Sequence, residues 1–318
     1  MATGSSGEDR RLEDAARAGW LYYVAGNTQD EIARKLGVSR QSAQRLVSLA
    51  VSERLIKVRL DHPIARCMEL AVQIRARFGL VACEIVPSDP ASPNAITGLA
   101  QSGAAEIERH LKSKEPIVLA LGTGRALKAC VDQMPPMNCP HHRLVSMLGN
   151  IMSDGSATAY HVVMGLAEKV NAKHFPMPLP VLAGSPEERR VLHSQEAIGN
   201  SLNLVGQADA TFVGIGNIGE TAPLTVDGFV SPEESQRMVG AGAAGEITGW
   251  IYDEAGEVMD IPFNHRVAGA PLVRDSDRPV VGIAAGEAKR RAIRAAIEGK
   301  LINSLITNEN TAGLLLSD

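Results

Sequence analysis

Arg40, Gln41, Gln44 and Arg45 are four polar side chains within six positions, and on a helix they share one face. Arginine and glutamine make bidentate hydrogen bonds to base edges, and arginine also grips phosphates, so this spacing has the chemistry of a major-groove reader. Thr28, Gln29 and Ser39, at the starts of the two helices that would carry such a face, join it as DNA-facing candidates, as do Lys57 and Arg59 further on. A second chemistry sits in Gly-Thr-Gly-Arg-Ala-Leu at 122–127. There an apolar run feeds a tight turn and then a helix start, so backbone N–H groups and the Thr123 hydroxyl suit an anion or sugar hydroxyls, with Arg125 and Lys128 nearby; an ordinary strand-to-helix turn is the alternative. Gly214, Gly216 and Gly219 spell Gly-x-Gly-x-x-Gly, the dinucleotide fingerprint, but that motif needs a helix at once, and Pro223 and Gly228 break any helical run after Gly219. Those glycines still let backbone approach a ligand closely. No Gly-x-x-x-x-Gly-Lys-Ser/Thr occurs, which argues against a nucleotide triphosphatase.

The elements that must position the first set are legible locally. Thr28 and Glu31 form a Thr-x-x-Glu capping box, Gly37 suits a left-handed turn, and Ser39 caps a second helix. Ile32, Ala33, Leu36, Val38, Ala43, Leu46 and Val47 fall where two short crossing helices touch. A preceding helix from about 10 to 25 supplies Leu12, Ala15, Ala16, Leu21 and Val24. From 34 to 59 there are seven basic residues (Arg34, Lys35, Arg40, Arg45, Arg54, Lys57, Arg59) and one acid (Glu53), in a chain whose formal net charge is −4. Such a local basic face fits double-stranded DNA. Leu55 to Leu60 alternates apolar and basic residues as a short wing strand does, and Pro63 closes it.

With 318 residues, 45% of them hydrophobic, the chain fits about two domains, 1–62 and 63–318. No apolar run reaches about 18 residues and no hydrophobic segment opens the chain, so neither a membrane span nor a signal peptide is expected, and a cytoplasmic protein is. Cys67, Cys83, Cys130 and Cys139 are widely spaced, as packed, reduced thiols are. Neither a metal nor a cofactor is expected; His141 and His142 read as surface or loop residues. Residues 64 to 78 form an amphipathic helix suited to a linker or a dimer contact, to packing on the next domain, or to both. Beyond it, apolar runs, most of them reaching a glycine, alternate with helical stretches: strands near 82–88, 116–124, 142–150, 210–219, 278–286 and 301–309, and helices near 95–112, from 125, 157–172 and 287–299. This alternation predicts an α/β domain with a doubly wound, mainly parallel sheet whose ligands sit at the strands' carboxyl ends.

With these pieces placed, the chain resembles the SorC family of bacterial sugar-responsive transcriptional regulators over nearly all its length. The resemblance rests on TQDEIARKLGVSRQSAQRLV, LGTGRAL, FVGIGNIG, GFVSPEE with GAAGEITGWIYDEAGE, NHRVAGAPL, and the stretch from VVGIAAGEAKRRAI to AGLLL. It implies a winged helix-turn-helix ahead of an effector domain similar to glucosamine-phosphate deaminases and ribose-phosphate isomerases, which binds a sugar, polyol or sugar phosphate without catalysis. The family's pocket carries over to Gly122, Thr123, Gly124 and Arg125, to Gly149 and Asn150, to Gly214, Ile215 and Gly216, and to Glu246, Arg266, Gly286 and Lys289. The family commonly has Asn-Asp-Arg where this chain has Asn264-His265-Arg266. A carboxylate at 246 and cations at 266 and 289 suit hydroxyl and phosphate oxygens. The implied partners are operator DNA, a small polyhydroxylated ligand and further copies of the chain, as a homodimer or homotetramer, since one recognition helix contacts too few bases. The competing reading is a sugar-phosphate isomerase or deaminase-like enzyme of the related fold.

Overall fold

The computed structural model describes residues 7–53, 55–56, 64–89, 91–92, 96–152, 154–158 and 160–317. The chain divides into two compact units, 1–62 and 63–318.

In the N-terminal unit, α1 (Gly7–Tyr23), α2 (Gln29–Leu36) and α3 (Arg40–Ser52) enclose a small core of Ala18, Leu21, Ile32, Ala33, Ala43 and Val47. The local signals act as expected. The Glu31 N–H donates to Thr28 Oγ1 at 3.3 Å and the Thr28 N–H to Glu31 Oε2 at 2.7 Å. Gly37 ends α2 at φ 67°, and Ser39 Oγ accepts the Ser42 N–H at 3.1 Å. Val24 and Val38, expected in this core, are exposed: Val24 comes after the end of α1, and Val38 sits in the turn. Residues 57–60 of the expected wing, with Lys57 and Arg59, lie outside the described residues.

The second unit opens with α4 (Ala65–Phe78), β1 (Ala82–Val86), α5 (Thr97–Leu111), β2 (Val118–Leu121), α6 (Arg125–Gln133), β3 (Arg143–Ile151) and α7 (Val162–Val170). It continues through β4 (Lys173–Pro180), α8 (Pro186–His193), α9 (Glu196–Gly206), β5 (Ala210–Gly214), α10 (Pro223–Val226) and α11 (Pro232–Gly240). β6 (Ala243–Ile247), β7 (Trp250–Asp253), β8 (Val280–Ile283), α12 (Arg290–Glu298), β9 (Ser304–Asn308) and α13 (Glu309–Leu316) complete it. Among the described residues seven strands form one sheet in the order β1-β9-β8-β5-β2-β3-β4, with every neighbouring pair parallel. Both faces are covered, and β2 shows why: Val118 and Ala120 join the cluster that includes α4 and α12, while Leu119 and Leu121 join that of α5, α6 and α7. Period-two alternation on a strand apolar throughout is the pattern of a sheet between two helical layers.

The strands β4, β6 and β7 escape the sequence reading, as do the helices α8, α9, α10, α11 and α13. β4, KHFPMPLP, carries three prolines that look like breakers, yet it is an edge strand, where missing N–H donors are tolerated. β6 and β7 form an antiparallel hairpin through Thr248 and Gly249, whose φ values of 50° and 87° are both positive as in a type I′ turn. The expectation for His142 is corrected. It is fully buried, taking the Ile117 N–H on Nδ1 at 3.2 Å and bonding the Leu111 carbonyl through Nε2 at 3.0 Å, and burial pulls its pKa down, so it is a neutral structural histidine. The four cysteines are free, with burial pushing the Cys83 and Cys130 thiols up to about 12. Among the described residues no helix is long and apolar enough to cross a membrane, and no cluster of His, Cys, Asp or Glu could hold a metal.

Candidate functional site

After β2 the chain adds β3 and β4 on one side and returns with β5 on the other, so the strand order reverses between β2 and β5. At such a reversal the loops leaving neighbouring strands part and open a crevice at the carboxyl ends. A cleft of about 100 Å³ lies there. From β2 come Thr123, Gly124 and Arg125; from β3, Gly149; from β5, Gly214, Ile215 and Gly216. Glu246 enters from the hairpin and Lys289 from the turn after β8. Gly124, at φ 110°, makes the bend that starts α6 at Arg125, leaving first-turn N–H groups without a side-chain cap at the cleft wall. Arg125 is exposed and forms no ion pair among the described residues.

Glu246 is held by backbone. Gly216 and Glu246 exchange N–H···O bonds at 3.0 and 2.9 Å, stitching the exit of β5 to β6, and the Gly249 N–H donates to Glu246 Oε2 at 3.0 Å. The glycine at 216 leaves room for this carboxylate, since a Cβ there would stand 2.1 Å from Glu246 Oε1 and displace it. Burial raises the Glu246 pKa, against the Gly249 hydrogen bond and the Lys289 charge, which lower it. Burial likewise lowers that of Lys289, against the Glu246 charge, with Arg125 adding to the drop. Lys289 Nζ donates to the Ile215 carbonyl at 2.8 Å. Beneath the carboxylate, the buried Tyr252 hydroxyl donates to the Ala292 carbonyl at 3.0 Å, and burial, then the Glu246 charge, pushes its pKa well above 10. The wall thus offers a carboxylate that accepts hydroxyl donors, an ammonium, a free guanidinium and helix-start N–H groups.

Four sequence candidates fall outside this cleft. Gly122 and Asn150 line a smaller recess that shares Thr123, Gly149, Thr158 and Tyr160 with it. Arg266, in a short 3-10 turn, faces Glu234 at 3.8 Å. Gly286 donates its N–H to Thr311 Oγ1 at 2.9 Å and precedes the turn that carries Lys289, so it positions rather than lines. The structure adds Thr248, Tyr160 and Asp227 to the wall; Tyr160 donates its hydroxyl to Asp227 Oδ2 at 3.3 Å. No motif spacing marks Tyr160 or Asp227, which meet only through the topology, whereas a Thr-Gly pair between two apolar runs is a weak hairpin signal. Rejecting the dinucleotide fingerprint agrees with the structure: the helix after Gly219 begins only at Pro223 and is four residues long.

On the N-terminal unit Arg40, Gln41, Gln44 and Arg45 are all exposed along α3, opposite the buried Ala43, Val47 and Ala50. Arg40 Nε lies 3.4 Å from Asp30 Oδ1, an exposed pair that contributes little. Thr28 and Ser39 spend their hydroxyl oxygens on caps, and Gln29 is half-buried.

Residues 62–317 match the Sugar-bind family model, that of a sugar-binding domain. The chain is 30% identical over 302 residues to the Erythritol catabolism regulatory protein EryD of Brucella abortus (strain 2308), covering 95% of this chain and 96% of that protein. It is 31% identical over 309 residues to the Transcriptional regulator LsrR of Escherichia coli O157:H7, covering 96% and 94% respectively. The fold is shared with the full-length Sorbitol Operon Regulator SorC from Klebsiella pneumoniae, with a TM-score of 0.69 and 24% identity over 97% of this chain and 100% of that one.

Proposed function

Because this chain belongs to the SorC family of sugar-binding transcriptional regulators, we propose that its N-terminal unit reads operator DNA through α3 and that the cleft between β2 and β5 binds the effector controlling that reading. The observation that carries the reading is the cleft wall: Thr123 and Arg125, Glu246, and Lys289 arrive from three separate segments to face one space at the strand-order reversal. A carboxylate paired with cationic groups fits a polyol, sugar or sugar phosphate, the class to which erythritol in the name of the Brucella relative belongs. α2, the tight turn at Gly37 and α3 support a helix-turn-helix whose Arg40, Gln41, Gln44 and Arg45 enter the major groove.

The cleft serves binding without turnover, as in a regulator. A buried carboxylate beside an ammonium would also suit an acid-base pair, so incubation with hexose and pentose phosphates is the check, and measurable conversion would establish the enzyme reading instead. Assembly is at least dimeric. Ile64, Met68 and Val72 form an exposed apolar stripe along α4, whose other face buries Cys67, Leu70 and Ile74, and this stripe is the proposed contact between copies. The test of the whole reading is selection of duplexes from a random DNA pool, then anisotropy titration with and without tetritols, pentitols, hexitols, their sugars and their phosphates. One recovered sequence whose affinity shifts with one such compound supports it; no enriched sequence overturns it.

A further inference from the structure

Thr248 carries two costs at once. Among the described residues four non-glycine positions have positive φ (Asn171, Thr248, Asp275 and Lys300), and Thr248, at 50°, is the β-branched one, the side-chain type most crowded in the left-handed region. Its hydroxyl is shielded from solvent and has no hydrogen-bond partner among the described residues, in a residue only 5% exposed. The methyl lies against Gly122, where a Cβ would stand 3.0 Å from it. Asparagine or glycine at this first turn position would remove the crowding, and valine would remove the orphaned hydroxyl. Three other buried side-chain atoms lack partners, Arg189 Nε, Ser235 Oγ and Thr307 Oγ1, but those residues do not line the cleft; Thr248 does, beside Glu246.

We propose that Thr248 is a specificity-determining effector contact: together with Glu246 it receives an uncharged CH–OH unit of a polyhydroxylated ligand at the hairpin turn. The proposal rests on the effector reading of the cleft and deepens it. A ligand hydroxyl donates to the Glu246 carboxylate while accepting from the Thr248 hydroxyl, which satisfies both groups in one seat. A phosphate in that seat would meet the carboxylate's like charge. Beside Glu246 the Lys289 ammonium is already bonded to the Ile215 carbonyl and faces the carboxylate's charge, whereas Arg125 and the start of α6 come from the β2 loop, so any phosphate the ligand carries belongs at that part of the wall.

Calorimetry and thermal unfolding of the full chain test this with tetritols, pentitols and hexitols, the corresponding sugars, and their monophosphates. In Thr248→Val, which keeps the β-branched shape, affinity for the compound that binds the wild type best should fall about 10-fold, a lost hydrogen bond leaving a ligand hydroxyl unmatched. The ligand-free melting temperature should not fall, since an unpaired hydroxyl is removed. Thr248→Ser, which keeps the hydroxyl, should bind within about threefold of the wild type. Unchanged affinity in Thr248→Val, an equal loss in Thr248→Ser, or a ligand-free Thr248→Val protein melting more than about 2 °C lower would each overturn the assignment while leaving the cleft reading intact, the last because the hydroxyl would then be structural. Absence of binding to every compound by the wild type would overturn the cleft reading, and this assignment with it.

Discussion

On α3 the candidate contacts stand in solvent on a helix whose other face is buried, so Arg40, Gln41, Gln44 and Arg45 owe their place to one short segment. In the cleft, Thr123, Glu246 and Lys289 come from segments far apart in the chain, and Glu246 is fixed by backbone contacts to Gly216 and Gly249. Substitutions on α3 should therefore change binding and spare stability, whereas those around the cleft act through packing as well. Burial also shifts the titration of Glu246 and Lys289.

The largest effect expected is in the cleft's framework. A Cβ on Gly149 would stand 2.1 Å from the Leu179 carbonyl oxygen and 2.5 Å from that of Pro180, both backbone atoms across the β3–β4 pair. Gly149→Ala should cost about 3 kcal/mol, read as a clear drop in melting temperature, and full stability would break the contrast. Next comes the reader, where Arg45→Ala should weaken operator binding by about 1–3 kcal/mol with no change in melting temperature. A large loss of stability there would show that the face is structural.

Smaller still is a pH effect. Burial raises the Glu246 pKa in the folded chain above the ordinary 4.5, so its contribution is favourable at low pH and is lost as pH rises through the raised value. Glu246→Gln removes that dependence. Ligand-free wild type should gain stability relative to the variant as pH falls from neutral toward 4.5, measured by melting temperature, and a difference that stays flat would contradict the burial of the carboxylate.

Legibility in the sequence divides along the same line. The capping box, Gly37 and Ser39 are signals confined to a few residues, so the α2–turn–α3 unit reads directly from Thr28 to Arg45. β1, β2, β3, β5, β8 and β9 are visible because sheets covered on both faces leave continuous apolar runs. β4 is hidden by its prolines, since edge position is a property of the sheet and not of the segment. Tyr160 and Asp227 are invisible because 67 positions separate them, and family resemblance draws Arg266 toward the cleft although in the structure it faces Glu234.

The central claim is that the β2–β5 cleft controls DNA reading, and since coupling between sites is a difference in binding free energy, it is measured as a change in operator affinity. Anisotropy with the selected operator duplex should show the wild type shifting about 5- to 150-fold on adding the active sugar or polyol, a coupling of about 1–3 kcal/mol. Glu246→Ala should bind the duplex as tightly as the ligand-free wild type but no longer shift, while Arg266→Ala should keep its shift. A Glu246→Ala protein that responds as the wild type does would contradict the account.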